Sequence, residues 1–111
     1  MAAPDTSLAE LIDLSGRRAF VTGGAQGIGA AIARRLVEAG AVVTVGDIDP
    51  AVETTAAAFG AIGVACDVTD TEAVTAALDS AAGDGVLDIV VNNAGIFPTT
   101  GPMIDAADDF V

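Results

Sequence analysis

The sequence contains no histidine, lysine, tyrosine or tryptophan, which excludes several kinds of chemistry from these 111 residues. Without histidine, the chain can form neither a histidine-based catalytic triad nor a histidine-ligated zinc site. Without lysine, it has neither a Schiff-base lysine nor the lysine of a Walker A loop. The single cysteine, Cys66, excludes a disulfide within the chain and fits a reducing compartment. We therefore expect a cytoplasmic protein.

Positive charge is scarce as well. The basic residues are two arginine pairs, Arg17-Arg18 and Arg34-Arg35, against 16 acidic residues, so the formal net charge is −12. Four arginines cannot form a basic stripe along nucleic-acid phosphates, and an anionic membrane surface would repel the chain. No apolar run reaches the roughly 20 residues of a transmembrane helix, and the start of the chain lacks the basic residues of a signal peptide. The composition therefore predicts neither a nucleic-acid nor a membrane partner.

Apolar residues, in contrast, are abundant enough for one core, since they make up 52% of the chain. Short β-prone runs are separated by stretches with helical spacing. Runs without polar alternation indicate strands that are buried on both faces, and their regular alternation with helices indicates a parallel sheet. The strands are expected at Arg18–Thr22, Ala41–Gly46, Ile62–Cys66 and Val86–Val91.

This order of strands and helices predicts a doubly wound, Rossmann-like α/β fold. Because crossovers between parallel strands are right-handed, the strands should lie in the order 3-2-1-4. Gly40 is placed to end the first helix. Asp49, followed by Pro50, has the pattern of an N-cap for the second helix, and Thr69 has capping-box spacing to Glu72 for the third.

The most informative stretch is Thr22–Gly29, where the first predicted strand passes into the first helix. Its glycines lack a Cβ and accept unusual backbone angles, so a diphosphate could approach the main chain. The start of the helix adds free N–H groups and the positive end of the helix dipole. A Walker A loop is excluded, because Ala30 stands where its lysine is required. The glycines therefore predict either a phosphate-binding turn or a tight turn that binds nothing.

An acidic residue follows the second predicted strand. Asp47 comes 18 residues after Gly29, where a dinucleotide fold brings a strand end beside the adenosine ribose. A carboxylate there can accept hydrogen bonds from both ribose hydroxyls, and it would repel a 2′-phosphate. The next residue, Ile48, supplies no cation to offset this repulsion. Asp47 therefore favours NAD over NADP, unless it is only a helix-capping or solvated acid.

Three segments carry a resemblance to a known family. Thr22–Gly29 read TGGAQGIG, Asn92–Gly95 read NNAG directly after the fourth predicted strand, and Cys66–Val68 follow the third. In this order they resemble the TGxxxGxG motif, the NNAG motif and the adenine-lining segment of the short-chain dehydrogenase/reductase family. The likeness runs from about Leu14 to Val111 and indicates the N-terminal, cofactor-binding part of such an enzyme.

The resemblance implies which residues hold the cofactor. The glycine turn would hold the diphosphate, Asp47 the adenosine ribose, Asp67 and Val68 the adenine, and the NNAG segment the nicotinamide-ribose side. No metal ligand is implied, and Asp105, Asp108 and Asp109 are expected to be a solvated helix start. The cofactor-binding residues are thus expected to be Gly23, Gln26, Gly27, Ile28, Gly29, Asp47, Ile48, Asp67, Val68, Asn92, Asn93, Ala94 and Gly95.

The family's catalytic Tyr-x-x-x-Lys pair is the clearest departure, because the chain has neither residue. We therefore expect no catalytic residue and no dehydrogenase activity in residues 1–111 alone. Residues 1–14 are expected to be a tail with a short helix. Residues 15–111 are expected to be an NAD(P)-binding domain that is incomplete at its C-terminus.

The function that the resemblance implies is hydride transfer between a nicotinamide cofactor and an alcohol or carbonyl substrate. The whole protein is expected to act on a small molecule and to be a homo-oligomer. A non-catalytic dinucleotide-binding module remains an alternative. A receiver-like α/β domain is disfavoured, because the first strand ends in Thr22-Gly23-Gly24 rather than in an acidic cluster.

Overall fold

The computed structural model of the protein describes residues 11–93, which are organised around a parallel sheet. Its strands have the order β3-β2-β1-β4, which confirms the predicted Rossmann-like arrangement. The strands are β1 (Arg18–Thr22), β2 (Val42–Asp47), β3 (Ile62–Ala65) and β4 (Ile89–Asn92). The helices between them are α1 (Gly27–Glu38), α2 (Val52–Ala58) and α3 (Thr71–Ala82).

Strand β1 lies between β2 and β4, and its side chains alternate between the two faces of the sheet. Ala19 and Val21 are fully buried on one face, whereas Phe20 is 1% exposed on the other. A strand covered on both faces has no place for polar side chains, which explains its continuous apolar run. Phe20 lies over Gly46 of β2, where a Cβ would come within 2.9 Å of the ring carbon Cζ.

The helices cover both faces of the sheet with small side chains. Ala33 of α1 and Ala56 of α2 are buried against the face that carries Val21. Ala77 and Ala81 of α3 are buried with Phe20 on the opposite face. Alanine at these positions lets the helices lie close to the sheet. Most of the core volume therefore comes from strand residues, of which Phe20 has the largest fully buried side chain.

The helix ends agree with the predictions in one place and differ in two. Gly40 has φ +102° and follows α1, as expected for a glycine that ends a helix. Helix α2 begins at Val52, and the Asp49 side chain accepts from the Ala51 N–H, which lies one residue before the helix. The predicted capping box at Thr69 is wrong, because the N-cap of α3 is Asp70.

The fourth strand is shorter than predicted, since it begins at Ile89 rather than at Val86. Its partner β1 begins at Arg18, and Asp88 meets that residue at the end of the ladder. The Asp88 N–H donates to the Arg18 carbonyl at 2.9 Å, and its carboxylate accepts from the Arg18 N–H at 2.9 Å. Pairing ends here because β1 extends no further.

Within residues 11–93, no helix combines the length and the hydropathy that crossing a bilayer requires. The predicted helix at the start of the chain lies largely outside the described residues, and the one at Asp105–Val111 lies wholly outside them.

Candidate functional site

The carboxyl ends of the four strands meet at one edge of the sheet, because the strands are parallel. β1 leads into the glycine turn, and β2 ends at Asp47. Asp67 follows β3, and Asn93 follows β4. The structure therefore brings the predicted phosphate, ribose, adenine and nicotinamide-side segments to a single edge.

The glycine turn, which comprises residues 23–27, starts and ends with a glycine in the left-handed region of backbone conformation. Gly23 has φ +69° and Gly27 has φ +65°, angles that disfavour any residue with a Cβ. The first part of the turn is fixed to β2, since the Gly23 N–H donates to the Gly46 carbonyl at 2.7 Å. Gln26 is extended with φ −159° and leads directly into α1.

The N-terminus of α1 differs from that of α3. Its N-cap, Gln26, makes no side-chain hydrogen bond to the helix, and its first turn has no acidic residue. In α3, Asp70 accepts from two backbone N–H groups, and Glu72 adds a negative charge in the first turn. Within residues 11–93, the first amides of α1 therefore have no N-cap side chain as a partner, at a helix end that favours anions.

Gly29 is buried where the turn, α1 and the end of β4 come together. A Cβ there would lie 2.8 Å from the carbonyl carbon of Gly23 and 2.7 Å from Nδ2 of Asn93. These two groups are themselves bonded, because the Asn93 side-chain amide donates to the Gly23 carbonyl oxygen at 3.1 Å. Glycine is thus required at position 29 by close approach rather than by its own backbone angle.

Thr22 completes the connection between β4 and the turn, a role that its position in the sequence does not predict. Its hydroxyl oxygen accepts from the Asn93 N–H at 3.0 Å, and the hydroxyl donates to the Val91 carbonyl at 3.4 Å. The signal in the sequence is a threonine that ends an apolar run, directly before glycine, and the structure shows that this threonine is buried. Asn93 is therefore held through both its backbone and its side chain.

Both carboxylate oxygens of Asp47 accept hydrogen bonds from the backbone. Oδ2 accepts from the Ala25 N–H in the glycine turn at 2.9 Å, and Oδ1 accepts from the Asp49 N–H at 2.9 Å. The side chain is half-buried. The second bond is an Asx turn and could be foreseen, because aspartate commonly bonds the amide two residues on. The bond to Ala25 has no such local signature.

Asp67 lies beside Val68 at the end of β3, and its Oδ1 accepts from Thr69 twice. The Thr69 hydroxyl donates at 2.6 Å and the Thr69 N–H at 2.9 Å. These bonds hold the pKa of the Asp67 carboxyl below its usual range. Behind Asp67, the thiol of Cys66 is buried, and that burial raises its pKa, with a smaller contribution from the charge of Asp67.

Three aliphatic side chains at this edge are exposed beside the polar groups. Ile28 and Ile48 are each 71% exposed, and Val68 is 39% exposed. They stand at the start of α1 and after β2 and β3 respectively. Their exposure leaves them available to contact a ligand that also reaches the polar groups of this edge.

The described residues therefore place most of the predicted cofactor-binding set at one edge. Ala94 and Gly95 lie outside the described residues. The residues that the structure does place there are Gly23, Gln26, Gly27, Ile28, Gly29, Asp47, Ile48, Asp67, Val68, Asn92 and Asn93.

The sequence pattern of the short chain dehydrogenase family matches residues 17–110. The chain belongs to this family. Members of the family bind a nicotinamide cofactor. The resemblance inferred from the glycine turn and the NNAG segment is thereby confirmed.

Several dehydrogenases of this family are similar to the chain. It is 45% identical over 93 residues to cis-4-hydroxycyclohexanecarboxylate dehydrogenase of Sinomonas cyclohexanicum, covering 78% of this chain and 37% of that protein. It is 44% identical over 105 residues to 4-formylbenzenesulfonate dehydrogenase of Comamonas testosteroni, covering 88% and 42% respectively. The chain therefore spans less than half the length of these curated relatives.

Solved structures of short chain dehydrogenases share the fold. 2-Keto-3-deoxy-D-gluconate dehydrogenase from Streptococcus agalactiae superimposes with a TM-score of 0.71 at 39% identity, over 89% of this chain and 40% of that one. The RhlG/NADP complex of Pseudomonas aeruginosa gives a TM-score of 0.67 at 40% identity, over 78% and 38%. Both likenesses extend across most of the four-stranded unit described above.

Proposed function

We propose that the carboxyl edge of this sheet binds the adenosine and diphosphate parts of NAD, in an enzyme that interconverts alcohols and carbonyl compounds. The observation that carries this proposal is the N-terminus of α1, which follows the glycine turn without a side-chain cap and without an acidic residue. In a chain of net charge −12, an acid-free helix start beside a half-buried carboxylate is well suited to a ligand that carries both phosphates and hydroxyls.

The diphosphate fits the turn for two reasons. Gly23 and Gly27 have no Cβ, so phosphate oxygens can approach the main chain closely. The amides of the first turn of α1 then donate to those oxygens, and the positive end of the helix dipole adds to the attraction. Exposed Ile28 lies in the same turn and would contact the ligand through its side chain.

The adenosine ribose fits Asp47. A carboxylate offers about four lone-pair positions, and the backbone uses one on each oxygen. One position on each oxygen therefore remains for a ribose hydroxyl. A 2′-phosphate would bring a second anion against this carboxylate, and the neighbouring Ile48 offers no positive charge. The free acceptor positions on Asp47 and its repulsion of a 2′-phosphate support NAD as the preferred cofactor.

The remaining predicted residues fit the two ends of the dinucleotide. Asp67 and Val68 combine an acceptor with a partly exposed apolar side chain, which suits the edge and the face of adenine. Asn92 and Asn93 end β4 next to the turn, so they and the following Ala94-Gly95 are assigned to the nicotinamide-ribose side.

When bound, the nicotinamide supplies the chemistry, which is the transfer of hydride to or from a substrate carbon. The residues of this chain bind and orient the cofactor. With neither tyrosine nor lysine, the chain lacks the pair of side chains that the resemblance assigns to the substrate proton. The relatives named for a hydroxy acid and for a formyl compound support an alcohol or carbonyl as substrate. We further propose a homo-oligomeric, cytoplasmic whole protein.

Calorimetric titration of the 111-residue protein with NADH and with NADPH tests the cofactor assignment. We expect saturable binding of NADH and at least about tenfold weaker binding of NADPH, the ratio produced by an unfavourable contact of roughly 1.4 kcal/mol. Absence of heat with both nucleotides from a folded sample contradicts the proposed site. Tighter binding of NADPH contradicts only the choice of NAD.

A non-catalytic dinucleotide-binding module is the second candidate, favoured by the absence of tyrosine and lysine. Both candidates predict nucleotide binding without turnover by residues 1–111. Oxidation of NADH by purified protein of verified sequence, in the presence of aldehyde and ketone substrates, would contradict this expectation. A Ser and a Tyr-x-x-x-Lys in the coding sequence downstream would decide for the enzyme.

A further inference from the structure

The carboxylate of Asp47 joins two segments that are distant in sequence. Oδ1 bonds locally to the Asp49 amide, but Oδ2 accepts from the amide of Ala25, 22 residues earlier, at 2.9 Å. The side chain is half-buried, so the bond to Ala25 is shielded in part from water. A hydrogen bond to a charged acceptor is stronger than one between neutral groups.

The position of Ala25 makes this bond important for the turn. The first residue, Gly23, is fixed by the Gly46 carbonyl at 2.7 Å, but the next amide, of Gly24, reaches that carbonyl only at 3.4 Å. Gln26 follows Ala25 and makes no side-chain bond to the helix. Among the described residues, the bond from Ala25 to Asp47 therefore holds the turn one residue before the N-cap of α1.

We propose that Asp47 is a positioning residue for the diphosphate turn as well as the acceptor for the adenosine ribose. It fixes the peptide between Gly24 and Ala25, and through that peptide the direction of the amides at Gly27 and Ile28. The ribose and diphosphate subsites are thereby coupled through one carboxylate. This inference rests on the proposed function, since it concerns the same nucleotide.

The test uses two ligands that differ only at the ribose, ADP and 2′,3′-dideoxy-ADP, titrated into the wild-type protein and its variants. Asp47→Ala removes both backbone bonds, and Asp47→Asn keeps the size of the side chain with a single acceptor oxygen. Asp49→Ala is the matched control, because it removes the same charge two residues away, from a side chain whose bond is to the Ala51 amide and not to the turn.

We expect Asp47→Ala to weaken dideoxy-ADP binding by roughly 10-fold or more, since the turn loses a hydrogen bond to a charged acceptor. ADP should lose more, because its ribose hydroxyls also lose their acceptor. Asp47→Asn should lie between the wild type and Asp47→Ala. Asp49→Ala should stay within about twofold of the wild type for both ligands, as for an ordinary surface substitution.

The result that overturns the proposal is a loss of ADP affinity in Asp47→Ala with dideoxy-ADP affinity unchanged, because Asp47 would then act on the ribose alone. That result leaves the proposed function intact. Failure of the wild-type protein to bind either nucleotide contradicts the proposed function instead.

Amide hydrogen exchange on the protein without nucleotide decides the positioning role independently. The exchange of the Ala25 amide should be about tenfold faster or more in Asp47→Ala and Asp47→Asn than in Asp49→Ala, since the amide loses a bond to a charged acceptor. Equal exchange in all three variants overturns the proposal, whatever the titrations show.

Discussion

At the scale of single residues, Gly29 gives the sharpest prediction for stability. Helix propensity alone says that Gly29→Ala in α1 should stabilise the protein by roughly 1 kcal/mol. The added Cβ, however, would crowd the Gly23 carbonyl and the Asn93 amide. Overpacking of this kind typically costs about 1–3 kcal/mol. We expect a net destabilisation in urea unfolding, together with weaker NADH binding.

Whether Gly29→Ala raises or lowers the free energy of unfolding shows which effect is larger, helix propensity or overpacking. Ala31→Gly, at an exposed position of the same helix, isolates the propensity term and should cost roughly 1 kcal/mol. A Gly29→Ala variant more stable than wild type would contradict the close approach of β4 to the turn.

Cys66 gives a prediction for reactivity and for pH. Burial, and to a lesser degree the charges of Asp67 and Asp70, raise the pKa of its thiol. Because the folded state disfavours the thiolate, this contribution to stability is complete below the unfolded-state pKa and falls as the pH rises towards the folded-state pKa. We expect iodoacetamide to label Cys66 much more slowly in the native protein than in urea, as followed by mass spectrometry. Equal rates would contradict its burial.

The candidate site was predictable at this scale only where spacing determines a role. The position of Asp47 after the second strand follows from sequence, because strand ends in a parallel fold share one edge. The bond from Ala25 to Asp47 does not, since the direction of a backbone amide depends on turn angles set by Gly23 and Gly27. The hydrogen bond from the Asn93 N–H to the Thr22 hydroxyl oxygen is equally non-local, because the two residues are 71 positions apart.

At the scale of elements, the start of α3 shows how a local pattern can mislead. Thr69 and Asp70 are both good N-cap residues, and the capping-box spacing favoured Thr69. The hydroxyl of Thr69 instead donates to Asp67 at 2.6 Å, so Asp70 is left to accept from the amides of Glu72 and Ala73. The Thr69 hydroxyl is bonded to Asp67 because of the path that the chain takes after β3. The N-cap of α3 is therefore Asp70.

This assignment predicts that Asp70→Ala costs about 0.5–2 kcal/mol of unfolding free energy, the usual value for a lost N-cap. Thr69→Ala should cost less, because its bonds to Asp67 are exposed. Thermal unfolding followed by circular dichroism measures both. A larger cost for Thr69→Ala than for Asp70→Ala would support Thr69 as the N-cap of α3.

Strand and helix identities were predictable because the apolar runs and helical spacings span whole elements. All four strands and the three helices between them were placed. The limits of β1 were predicted correctly, whereas those of β2, β3 and β4 differ by one to three residues at one end or both. The fourth strand illustrates the reason: Val86 is apolar but 73% exposed, because β1 offers no partner beyond Arg18. Strand length depends on the neighbour, which the local sequence does not contain.

At the scale of the whole molecule, β4 has no partner on its outer side within residues 11–93. Val90 in this strand is 49% exposed. An open edge with apolar side chains favours pairing with another chain, whereas a net charge of −12 opposes it by repulsion. We expect the protein to self-associate, and increasingly so as salt screens the repulsion.

Light scattering coupled to size-exclusion chromatography, at low and at high salt, measures this association. Val90→Lys should reduce it, since lysine on an edge strand disfavours pairing. Glu53→Lys, at an exposed position of α2, changes the net charge by two units rather than one and leaves β4 unchanged, so it is the control. A monomer at every salt and protein concentration would contradict the prediction.

The bond between Asn93 and Gly23 also has a consequence for biosynthesis. These residues are 70 positions apart. During synthesis, the glycine turn is therefore complete long before Asn93, whose side chain donates to it, has been translated. Until then the turn lacks that support, and contacts of such long range form late and slowly. During synthesis, competence to capture a nucleotide should therefore arise in one late step rather than residue by residue.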